Sequence, residues 1–98
     1  MYVVLTTKPG EYRSEGGQGV EAIAAYEYRF YGKTKAIFTI AKITDDARVL
    51  IIEEGPGGTT NNIATRQMEK FDSVEAAYAE LESLTRFGSI EAELVKAA

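Results

Sequence analysis

The apolar and polar positions of the chain change period several times, and each change predicts an element. Tyr2 to Thr7 is β-branched and aromatic, the composition of a strand. Lys8-Pro9-Gly10 ends it, because proline removes a backbone donor and glycine permits a turn. Residues 10–19 hold four glycines and almost no apolar surface, and read as a flexible loop. From Tyr26 the period is two: Tyr26, Tyr28 and Phe30 point one way, and Glu27, Arg29 and Tyr31 the other. Gly32-Lys33 predicts a two-residue hairpin with glycine at the first central position.

The run 34–43 sets Ala36, Phe38 and Ile40 against Ile37, Thr39, Ala41 and Ile43. Both of its faces are largely apolar, so it is expected as the central strand. Asp45-Asp46 turns the chain into residues 48–54, the third strand of a meander built on Val49, Leu50, Ile51 and Ile52. Residues 55–62, rich in glycine and asparagine, are expected to be irregular, and the weakly alternating run 63–70 an edge strand.

One helix is signalled over residues 72–86. Asp72 followed three residues later by Glu75 has the form of a capping box, with Phe71 placed to staple onto the first turn. Val74, Ala77, Tyr78, Leu81 and Leu84 recur at helical spacing, and Gly88 is a natural stop. The tail 89–98 fits a short helix through Ile90 and Leu94, or a strand through Ile90, Ala92 and Leu94. The predicted architecture is one α+β domain over residues 1–98. It has an antiparallel sheet of four to five strands, one amphipathic helix packed on one face, and a short C-terminal helix as one reading of the tail.

Composition narrows the chemistry. The 98 residues are 45% hydrophobic, enough for one compact core whose net stability is only several kcal/mol. Fifteen acidic and eleven basic residues leave a net charge of −4, whereas a nucleic-acid binder needs a basic surface to displace counterions. Direct nucleic-acid binding is therefore not expected. Residues 1–9 are too short an apolar run for a signal peptide, and nothing approaches a membrane span, so a cytoplasmic location is expected.

The chain has no cysteine and no histidine, which removes disulfides, Ser-His and Cys-His nucleophiles and zinc sites built on those ligands. No cofactor, metal site or catalytic set is expected. Asp45-Asp46 reads as a turn. Glu53-Glu54 borders a glycine-rich loop, but neighbours on a strand face opposite ways and do not form a facing pair. Gly16-Gly17-Gln18-Gly19 and Gly55-Pro56-Gly57-Gly58 lack the following helix start that a phosphate loop requires.

The segment Phe-Asp-Ser-Val-Glu-Ala-Ala-Tyr-Ala-Glu-Leu, residues 71–81, after a run of strands, resembles the end of a WGR domain over about half of the chain. The defining Trp-Gly-Arg is absent and the charge is acidic, so nucleic-acid binding is not carried over and no family is claimed.

Tyr26, Tyr28, Phe30 and Phe38 are expected beneath the helix, and Tyr31, Ile37 and Ile43 on the other sheet face. One helix cannot cover both faces, and an exposed apolar face on a small domain marks a partner. The leading expectation is a non-catalytic protein-interaction module, an accessory subunit or inhibitor docking through a sheet face or edge strand. Tyr31, Ile37 and Ile43 would be its partner-binding residues, and homodimerisation is expected. One alternative is a small-ligand binder or cofactorless enzyme with a pocket between helix and sheet, using Tyr26, Tyr28, Arg29 and Glu53. Another is an acidic mobile-element inhibitor that occupies a nucleic-acid channel.

Overall fold

The computed structural model describes residues 1–85 and 92–97. Its strands are β1 (Tyr2–Thr7), β2 (Tyr12–Gly16), β3 (Val20–Phe30), β4 (Lys33–Ile43), β5 (Arg48–Glu53), β6 (Thr60–Ala64) and β7 (Ala92–Lys96). A 3-10 turn at Thr65–Gln67 and helix α1 (Val74–Thr85) separate β6 from β7. The strands form two antiparallel sheets, ordered β1-β4-β3-β7 and β2-β5-β6. The fold is α+β as expected, with seven strands in two sheets among the described residues in place of four to five in one.

Strand β4 is an inner strand, and its alternation feeds two separate cores. Ile40 packs with Ala77 and Leu81 of α1, all fully buried, and Tyr2, Val4, Tyr26, Phe38, Phe71, Val74, Tyr78 and Leu94 surround them. Ala41 faces the other way, into a core with Val3, Leu5 and Val49, flanked by Val20, Ile43, Ile51 and Met68. The second face of the large sheet is thus covered by the small sheet along β1 and the end of β4. This corrects the expectation that the whole face is left to a partner. The third-strand reading of β5 fails for the same reason: β5 leaves the β3–β4 hairpin and pairs with β2 and β6.

Glycines make the crossing possible. The chain passes between sheets twice at one corner, from β2 to β3 and from β4 to β5. There Gly17 N–H donates to Arg48 O (2.8 Å), Thr44 N–H to Gly19 O (3.0 Å) and Arg48 N–H to Gln18 O (3.3 Å). A Cβ on Gly19, whose φ is +80°, would strike the Thr44 hydroxyl; one on Gly17 would lie 2.8 Å from Arg48 O. The Gly16–Gly19 run is therefore a corner where backbones meet.

The other differences have local causes. Strand β2 lies inside the predicted loop: its Tyr-Arg-Ser-Glu-Gly sequence has too few apolar residues to show a period, and β5 supplies the pairing. Residues 60–62, expected to be irregular, begin β6 by pairing with Leu50, Ile51 and Ile52. The expected 63–70 edge strand stops at Ala64, because buried Thr65 turns inward and donates from both its amide (3.1 Å) and its hydroxyl (3.0 Å) to Ala47 O. The hairpin loop is Tyr31-Gly32, with positive φ at both residues (52° and 75°), one residue earlier than the glycine suggested.

Leu84 is 56% exposed, and Thr85 takes its place on the buried stripe, its hydroxyl bonded to Leu81 O at 2.8 Å. Residues 92–96 are a strand, because Leu94 opposite Tyr28 completes the floor beneath α1. The Gly88 stop, Arg86 at the predicted helix end and Ile90 of the tail lie outside the described residues.

Helix α1 begins one turn position later than the capping-box reading. The Ser73 hydroxyl accepts the Ala76 amide at 3.0 Å, so Ser73 is the N-cap and Asp72 precedes it. Ser73→Ala should therefore cost about 0.5–2 kcal/mol in a denaturant titration, while Asp72→Ala should leave stability nearly unchanged. The reverse order would place the cap at Asp72.

Candidate functional site

Beyond the small sheet, the second face of the large sheet carries a polar network. Register places Glu27 opposite both Ile37 and Val95, and Arg29 opposite both Thr34 and Glu93, so these residues share one face. Ile37 and Val95 are half-buried and lie outside the apolar core beneath the small sheet. The Thr34 hydroxyl donates to Glu27 Oε1 at 2.7 Å, and Arg29 Nη2 reaches Glu27 Oε2 at 3.4 Å. Arg29 Nε is buried with no hydrogen-bond partner among the described residues, a state that costs about 1–3 kcal/mol for an ordinary polar group and more for a charged one.

The Thr34 hydrogen bond, then the Arg29 one, hold the Glu27 carboxyl below the ordinary glutamate range, against a smaller opposing effect of desolvation.

The same hairpin ends in an aromatic and basic tip. Tyr31 is 66% exposed, and its ring meets Phe30 edge-on with centroids 4.5 Å apart. Lys33 and Lys35 are exposed, and Lys35 is the extra residue where the β3–β4 register shifts between Tyr28 and Arg29. Residues 28–35 thus hold three cations and no carboxylate, on a chain whose net charge is −4.

The structure sorts the predicted residues into different places. Tyr31 sits in the turn, beyond the sheet face, while Ile37 lies on that face a few residues away. Ile43 is at the far end of β4 and packs against the core under the small sheet, so it does not join them. Of the proposed pocket, Tyr26 and Tyr28 lie on the helix side and Arg29 on the opposite side. Glu53 is exposed in the other sheet, opposite Tyr12. These four residues do not form one site.

A groove does exist beneath the helix, built from other residues. It has a volume of about 510 Å³ and is lined by Tyr26, Val74, Glu75, Tyr78, Leu94 and Lys96. Tyr78 was legible only as core, and Lys96 only through the strand reading of the tail.

Comparison with protein-family models, with curated proteins and with solved structures finds no match to the chain. The likeness of residues 71–81 to a WGR domain gains no support from it. Among the described residues, no helix is long and apolar enough to cross a membrane.

The Glu27 network makes a prediction about acid stability. Because its folded value is lowered, Glu27 contributes fully above its unfolded value, and that contribution is lost as pH falls through the folded one. Glu27→Gln should flatten the acid limb of a stability-versus-pH curve from chemical denaturation and leave the slope near neutral pH unchanged. An acid limb identical in both proteins would contradict the network.

Proposed function

We propose that the protein is a non-catalytic interaction module that docks on another protein through the β3–β4 hairpin tip and the adjoining face of Arg29 and Ile37. Tyr31 carries this reading. The turn requires positive φ at both central positions, where asparagine followed by glycine is the usual choice. A bulky side chain there is strained by about 1–2 kcal/mol, and at 66% exposure Tyr31 gains little burial in return. Residual strain at an exposed aromatic points to use elsewhere. Tyrosine and arginine are also the residue types that anchor protein interfaces, and Arg29 holds a donor, without a partner among the described residues, that a partner carboxylate would satisfy after a small rearrangement.

The basic tip fits a partner surface rich in carboxylates. It does not favour the inhibitor of a nucleic-acid channel, which would have to present acidic surface. Self-association through Ile43 loses its geometric basis, because Ile43 packs within the chain.

Tyr31→Asn tests the proposal without breaking the fold. Relief of strain and loss of the edge-on contact with Phe30 roughly cancel, so stability should stay within about 1 kcal/mol. With both proteins as bait in cells of the source organism, quantitative mass spectrometry should recover a partner with the parent chain. The variant should recover at least about tenfold less of it, the effect of losing one interface anchor. Equal recovery by both baits would remove Tyr31 from the interface.

A further inference from the structure

We propose that the groove between α1 and the β3–β7 edge binds a free α-amino acid with a large aromatic side chain. This site shares no residue with the hairpin tip, and it stands whether or not the tip docks a partner. The groove volume of about 510 Å³ falls within the range of small-molecule sites, roughly 300–1,000 Å³. Tyr26, Tyr78, Val74 and Leu94 give it an apolar lining, and the two tyrosine rings lie 5.0 Å apart at 56°. Both rings line the groove, where an incoming aromatic group would meet them.

The charges select the ligand class. Glu75 extends from the helix wall and Lys96 from the strand wall; both are exposed, and they form no ion pair with each other. The hydroxyls of Tyr26 and Tyr78 also have no hydrogen-bond partner among the described residues. An occupant with one charge would pair with only one of the two rim groups. An α-amino acid carries ammonium and carboxylate on one carbon, so both charges can sit at the rim while the side chain lies on the apolar lining. Its ammonium pairs with Glu75 and its carboxylate with Lys96.

The chain contains no tryptophan, so the fluorescence of an indole ligand reports binding without background from the same group. Titration of L-tryptophan into the full chain should give a saturable change. Tryptamine, which lacks the carboxylate, and indole-3-propionate, which lacks the ammonium, should each bind about tenfold more weakly. Lys96→Ala should abolish the advantage of tryptophan over tryptamine, and Glu75→Gln its advantage over indole-3-propionate. Both residues are exposed, and circular dichroism should show the variants folded. Tyr31→Asn should bind tryptophan as the parent does. No saturable change, equal affinity for the three compounds, or indifference to both substitutions would each overturn the proposal.

Discussion

Strand β4 is apolar on both faces, and the described chain has one α-helix with which to cover it. Leaving either face in water would forfeit the burial on which so small a fold depends. The chain meets this constraint by bending. At the corner of Gly17, Gly19 and Thr44, two strand connections cross side by side between the large sheet and the small one. They bring Val49 onto Val3, Leu5 and Ala41. Helix α1 is then free to serve the opposite face through Ala77 and Leu81.

The same solution fixes where function can reside. The small sheet covers β1 and the corner end of β4, leaving the 27–37 end of the large sheet to carry the Glu27–Arg29–Thr34 network and the tip at Tyr31. On the other side, β7 extends the large sheet past the helix, so that Leu94 and Lys96 form one wall of a groove whose other wall is α1. Both candidate sites are therefore margins of a core, places where one layer outruns the next.

Much of this was legible where the pattern was strong. The alternation of residues 34–43, the Tyr26–Phe38 face and the helical spacing of Val74, Ala77, Tyr78 and Leu81 all led to the right neighbours. The small sheet was illegible because its outer strands carry almost no period: β2 reads Tyr-Arg-Ser-Glu-Gly and β6 Thr-Asn-Asn-Ile-Ala, and both are strands by virtue of pairing with β5. The glycine run looked like a loop since sequence does not reveal that another backbone approaches it. Tyr31 was named for the wrong reason, since a one-residue shift of the hairpin moves it from a sheet face to the turn. Arg29 and Glu53 could not be separated without knowing that they belong to different sheets.

The central claim is that the chain covers its own second face, and methyl contacts across the two sheets test it most directly. In a nuclear Overhauser experiment on methyl-labelled protein, the methyls of Val3 and Leu5 should show cross-peaks to those of Val49, within one buried cluster. Val49 methyls without contacts to β1, together with Leu5 methyls broadened by a soluble paramagnetic agent, would show the face open to solvent and contradict the account.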